Sequence, residues 1–170
     1  ARIVTGHTGN DLAETVLHRI IRGTGLTGLA GILPLADNLW ARPLLGMRRE
    51  EALAYLRTRE AGWREDSSNT DGVFFRNRIR HLLIPLLEAQ FSPAVGEALV
   101  RLAELARTEE EYIELATREA LRKCSIYMGL GKILLDAPLF LSFHMVLRRR
   151  LVRYCLEMLE GKGRDTDFRE

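Results

Sequence analysis

The spacing of apolar residues changes several times along this chain, and each change marks a new element. Residues 1–5, ARIVT, have the β-branched character of a buried strand end. From Gly9 the apolar positions fall at Leu12, Val16, Leu17, Ile20 and Ile21, which predicts a helix following that strand. Glycines 23, 25, 28 and 31 then predict a loop. Residues 39–45, LWARPLL, predict a short strand, with Pro43 placing it at a sheet edge or strand end. Residues 48–62 alternate charge around Ala52, Leu53, Tyr55 and Leu56, an exposed amphipathic helix expected to stop at Gly62.

Residues 63–72 are polar and turn-rich. A helical pattern returns at Phe74 and runs through Ile79, Leu82, Leu83, Leu86 and Leu87, with Pro85 predicting a kink or restart. Residues 89–96 suit a joint, followed by a long charge-laced helix to Cys124. A short strand is expected over 132–136, and then a helical pair or one long helix ending at Gly161. The order predicts an α/β domain over 1–90 and a mainly helical one over 91–170, joined near 88–94.

Composition narrows the class. Of 170 residues 46% are hydrophobic and 28% charged, as in a soluble globular protein, and no apolar run approaches bilayer length. No signal peptide pattern opens the chain, so a cytoplasmic protein without a membrane partner is expected. Ala1 opens on a strand already under way, which predicts a piece of a longer chain. Cys124 and Cys155 show neither CxxC nor Cys/His spacing and are expected in the core. A net charge of +2 does not by itself point to nucleic acid. Arginine concentrations at 76–81 and 148–150 can face phosphate or simply be solvated helix faces.

Two stretches carry candidate chemistry. In GHTGNDLAET, Thr8 and Asp11 have the spacing of a capping box. Capping accounts for neither His7 nor Glu14. His7, Asp11 and Glu14 stand four and three residues apart, on one side of a helix start beyond a strand end, where helix N–H groups favour phosphate. An imidazole there can bond a phosphate oxygen. The carboxylates can hold Mg²⁺, receive an ammonium group or take a proton. A transition-metal site is an alternative, weakened because no other histidine has suitable spacing. In EDSSNTDGVFFRNRIRH, Arg76 and Arg80 form one row and Asn77 and His81 another, opposite Ile79 and Leu83. Guanidinium groups here suit polyphosphate or an RNA backbone, or else a salt bridge to Asp66 or Asp71.

Together, residues 6–32, RPLL at 42–45, EDSSNTD at 65–71 and RNRIRHLLIPLL at 76–87 resemble the tRNA(Ile)-lysidine synthetase family of PP-loop ATP-pyrophosphatases. The resemblance covers residues 1 to about 90. Over 91–170 only the helical pattern matches that family's first C-terminal domain. It implies an α/β fold, the C-terminal half of a parallel-sheet PP-loop domain of the adenine nucleotide alpha hydrolase type, followed by a helical tRNA-binding domain. It implies ligation of free L-lysine to C2 of the wobble cytidine of tRNA(Ile) with a CAU anticodon, through an adenylate made from ATP with Mg²⁺. His7 would contact the phosphates. Asp11 would assist catalysis and place lysine or Mg²⁺, Glu14 would receive the lysine ammonium, and Arg76 would stabilise phosphate charge. Arg22 and Arg80 would contact RNA. No dedicated metal ligands are assigned, and a homodimer is implied.

Two departures accompany the resemblance. Asn10 stands where the family commonly has a second aspartate, which removes a charge from any Mg²⁺ role there. The glycine/serine-rich PP-loop is expected upstream of Ala1, so the chain alone is expected to be inactive. A PP-loop tRNA thiolation enzyme and a non-catalytic helical RNA-binding module are the alternatives; the first wants suitably placed cysteines, and the second leaves the two N-terminal motifs unexplained.

Overall fold

A computed structural model describes residues 1–37, 39–63, 75–129 and 131–160. Asp66, Asp71, most of the turn-rich stretch, Phe74 and Gly161 lie outside the described residues. Strand β1 (Ile3–Val4) leads into helix α1 (Gly9–Ile21), as the change of period predicts. The glycine-rich stretch then holds one helical turn, α2 (Leu26–Leu29), before strands β2 (Leu35–Ala36) and β3 (Trp40–Ala41). The sheet order is β1-β3-β2, with β1 parallel to β3 and β2 antiparallel to it.

Three expectations change here. The sheet is parallel in one pair only, because β2 turns directly into β3 through Asp37 at φ +53°. Ile3 and Val4 are exposed rather than buried, since β1 forms an edge of the sheet. Strand β3 is also shorter than 39–45: the Arg42 N–H makes the last bond toward β2, to Pro34 O at 2.9 Å, and Pro43 has no N–H to continue a ladder.

The inner face of α1, Leu12, Ala13 and Val16, packs with Leu45, Leu99 and Ala103. Burying Leu12 and Val16 contributes about 1.5–3 kcal/mol each. Gly31 closes this core at φ +63°, where a Cβ would lie 2.5 Å from Leu12 Cδ1, so only glycine fits.

Helix α3 (Arg49–Thr58) stops short of Gly62. Glu60 takes the left-handed conformation at φ +52°, and two reversed bonds, Ala61 N–H to Leu56 O and Glu60 N–H to Arg57 O, close the end without a glycine. Helix α4 (Phe75–Arg78) passes into a π-helical segment, Ile79–Leu83, and then into α5 (Ile84–Gln90). The disruption that Pro85 predicts thus takes the form of a widened turn ahead of it, where an α-helix would press the proline ring onto the carbonyl of His81.

The chain packs as two compact units, Ala1–Thr108 and Glu109–Glu170. Their border lies inside helix α6 (Val95–Cys124), downstream of the joint expected at 88–94, because Leu99 and Ala103 belong to the α1 core. In the second unit a hairpin, β4 (Ser125–Gly129) and β5 (Lys132–Leu135), turns through Gly131 at φ +70°. The terminal helices are a pair, α7 (Ala137–Ser142) and α8 (Met145–Glu160); Asp136 caps α7 by accepting the Leu139 N–H at 2.8 Å. Cys124 and Cys155 are buried with Ala120, Leu121 and Leu151, the core position expected for both. Glu110 receives Arg150 through both carboxylate oxygens.

Candidate active site at the start of α1

The strand-to-helix turn positions the site. Thr8 precedes α1, and both its N–H and its hydroxyl donate to Asp11 Oδ2, at 2.9 and 3.0 Å. The aspartate half of the expected capping box therefore forms, and it consumes one oxygen of Asp11. The other oxygen, Oδ1, accepts from Arg76 Nη2 and Arg80 Nη2, both at 3.0 Å.

One turn further along α1, Glu14 is only 2% exposed, and both its oxygens are engaged. Oε1 accepts from Arg80 Nε at 2.6 Å, while Oε2 accepts from Arg80 Nη2 and Arg76 Nε at 3.0 Å each. A buried carboxylate without such partners would be prohibitively costly. Two acids and two guanidinium groups make a cluster of zero formal charge. The acids come from one helix face and the arginines from α4 and the π segment after it.

The structure thus brings Asp11, Glu14, Arg76 and Arg80 together. The arginine partners are the α1 acids; Asp66 and Asp71 lie outside the described residues. Arg80 differs most from expectation, since it faces Glu14 rather than an RNA surface. Its side chain is 23% exposed against 44% for Arg76, and the bond to Glu14 raises its pKa above the ordinary arginine value. Buried Glu14 requires a fixed counter-charge, and Arg80 supplies it.

Around the cluster, His7 is half-buried and its Nδ1 lies 2.8 Å from Thr5 Oγ1, so Nε2 is the atom through which the ring can address a ligand. Arg22 is exposed just beyond the end of α1. Asn10 turns away from the acids: its Oδ1 accepts the Arg49 N–H at 2.9 Å and caps α3. His18 extends the row of His7, Asp11 and Glu14 by one more turn and meets the Phe75 ring edge-on at 5.2 Å. Sequence reasoning missed this fourth member; the spacing 7, 11, 14, 18 contains it, but the amphipathic pattern of α1 hides it.

Among the described residues no group of three His, Cys, Asp or Glu is placed to hold a metal ion. All four carboxylate oxygens of Asp11 and Glu14 already accept protein N–H or O–H groups, and Asn10 is spent on α3. This arrangement does not fit Mg²⁺. Among the described residues no helix is long and apolar enough to cross a membrane.

Over 167 residues the chain is 42% identical to the tRNA(Ile)-lysidine synthase of Solibacter usitatus, covering 98% of this chain and 38% of that protein. It is 40% identical over 170 residues to that of Symbiobacterium thermophilum, covering 95% and 35%, and 37% identical over 160 residues to that of Geobacter sulfurreducens, covering 94% and 34%. The chain therefore spans little more than a third of the length of these curated relatives. Residues 1–87, from β1 to the helix that follows the two arginines, match the family described as the PP-loop domain. The turn that carries Asp11 and Glu14, and the helix that carries Arg76 and Arg80, lie within that match, and the chain belongs to the PP-loop domain family.

Proposed function

We propose that the protein containing this chain is a cytoplasmic tRNA(Ile)-lysidine synthase, and that residues 1–90 form part of its ATP-using catalytic domain. Residues 91–170 supply RNA contacts, and Arg22, exposed beyond the end of α1, supplies a further one. The observation that carries the reading is the neutral Asp11–Glu14–Arg76–Arg80 cluster, present in a chain similar along nearly its whole length to proteins of that name.

The cluster suits an exchange of cations. Arg80, the less exposed arginine, stays on Glu14, whereas Arg76 can leave the acids at small cost. A lysine ammonium takes its place on Glu14 and Asp11, keeping the cluster neutral, and Arg76 then turns to phosphate with His7. ATP adenylates the C2 oxygen of the wobble cytidine with loss of pyrophosphate. The ε-amine attacks C2, AMP leaves with that oxygen, and Asp11 assists removal of the proton.

A sulfur-transfer enzyme is disfavoured by the cysteines. Cys124 and Cys155 are both buried, and burial pushes both thiols up, the opposite of what a thiolate carrier needs. Dimerisation belongs to the same reading and is checked by mass measurement in solution. The deciding experiment is transfer of labelled lysine to a tRNA(Ile) transcript with a CAU anticodon by the full-length protein. Glu14→Ala raises KM for lysine roughly ten-fold or more while leaving KM for ATP within about two-fold. Absence of lysine transfer in the parent protein, or equal shifts in both KM values, refutes the assignment.

A further inference from the structure

Phe75 opens α4 and stands on α1 edge-to-face with His18, the ring planes 63° apart and the centroids 5.2 Å apart. It is 41% exposed, so the core does not consume its ring. His18 follows Glu14 by four residues, which places the pair about 6 Å along the helix from the buried carboxylate, within the span of one nucleotide. The surroundings are cationic. Burial first, and then the charges of Arg22, Arg19 and Arg76, hold His18 below the usual histidine pKa and keep it neutral as a ring partner. Arg19 is tied by Nη1 to the carbonyls of Gly28 and Gly31, at 2.9 and 3.1 Å, so its charge is fixed beside the pair.

An exposed aromatic ring flanked by positive charge, next to a phosphate-competent arginine, is the chemistry that captures an unstacked base together with its backbone. An apolar protein partner would find the arginines a desolvation penalty. We propose that Phe75, braced by His18, is the stacking platform for a nucleobase delivered beside the Asp11–Glu14–Arg76–Arg80 cluster. This rests on the proposed function for the identity of the RNA. The base has two sources, the target cytidine of the tRNA and the adenine of ATP.

The test uses the full-length protein with Phe75→Leu, which keeps apolar contact with His18 but has no ring, and Phe75→Trp, which restores a ring. Binding of a CAU anticodon stem-loop and of ATP is measured separately, together with Tm. If the base is the cytidine, Phe75→Leu weakens stem-loop binding by between about five- and 150-fold, the worth of one stacked base, with ATP binding unchanged and Phe75→Trp restoring affinity. If the base is adenine, the same pattern appears for ATP instead. The indole that Phe75→Trp introduces is quenched by whichever ligand stacks there, read as the fluorescence change beyond that of the parent protein, and this readout survives if the leucine variant folds poorly.

The platform is refuted if Phe75→Leu and wild type bind both ligands alike, or if Phe75→Trp binds as weakly as Phe75→Leu. Loss of both ligands together with a lowered Tm, or an introduced indole whose fluorescence responds to neither ligand, also refutes it, leaving Phe75 as a packing residue. Because these are binding measurements, their failure leaves lysine transfer by the parent protein standing, whereas absence of lysine transfer removes the proposed function independently.

Discussion

The unequal exposure of the two arginines predicts that they are unequally coupled to Glu14. Arg80 reaches Glu14 through Nε at 2.6 Å and Nη2 at 3.0 Å, whereas Arg76 reaches it through Nε alone at 3.0 Å. Two unit charges about 4 Å apart attract by roughly 4 kcal/mol at an effective dielectric of about 20. Desolvation of Glu14 and the partial exposure of Arg80 reduce this to a pairwise coupling of about 2–3 kcal/mol. For Arg76, whose side chain is 44% exposed, screening lowers the coupling to about 0.5–1 kcal/mol. The assay is a pair of double-mutant cycles, Glu14→Gln with Arg80→Gln and Glu14→Gln with Arg76→Gln. Opening free energies are read by hydrogen exchange on peptides spanning α1, because local opening is well defined in a protein of two units where a single unfolding transition is not. Equal couplings, or an Arg80 coupling below about 0.5 kcal/mol, would refute the division into a fixed and a releasable arginine. The cation exchange proposed for lysine would then have no structural basis.

Three further predictions concern the frame around the site. Glu60→Gly relieves a left-handed residue at the end of α3 and stabilises that end by about 0.5–1 kcal/mol, read as slower hydrogen exchange there; faster exchange would show that the Glu60 side chain has a compensating role. Asn10→Ala removes the cap on the first N–H of α3 and costs about 1 kcal/mol, seen as faster exchange at the start of that helix and not along α8. His18 carries a folded pKa below the ordinary 6.5, so the unfolded chain takes up its proton first. Stability from this group is therefore complete at neutral pH and declines as pH falls through 6.5, and His18→Gln removes that part of the pH dependence.

Much of the α/β unit is legible in the sequence because its signals are local. The α1 period, the Thr8–Asp11 spacing and the convergence of Asp11 with Glu14 all lie within one or two helical turns. The same sequence cannot reveal which cations those acids meet, since the arginines follow 62 to 69 residues later and their pairing depends on tertiary packing. Spacing alone therefore leaves Arg80 with phosphate, RNA or a salt bridge. Glycine is the usual residue for a left-handed cap, which puts the expected end of α3 at Gly62, but reversed hydrogen bonds at Glu60 and Ala61 satisfy the carbonyls earlier. Strand β4 escapes a periodicity argument because Ile126, Tyr127 and Met128 are consecutive apolar residues without alternation, and all three are exposed on a hairpin.

The widened turn at Ile79–Leu83 sets a rule about chain length. A π turn holds one residue more than an α-helix allows, and each residue of an α-helix turns the chain by about 100°. Deleting position 81, 82 or 83 would therefore restore ordinary winding while leaving Arg76 and Arg80 nearly in phase with α5, because the extra residue is absorbed within the turn; the cost would be the Pro85 ring pressed onto the carbonyl four residues before it. Loss or gain of one residue in α5 has no such turn to absorb it and would swing Arg76 by about 100° away from residues packed beyond it. The widened turn is therefore the place in this helix where a change of length disturbs the site least.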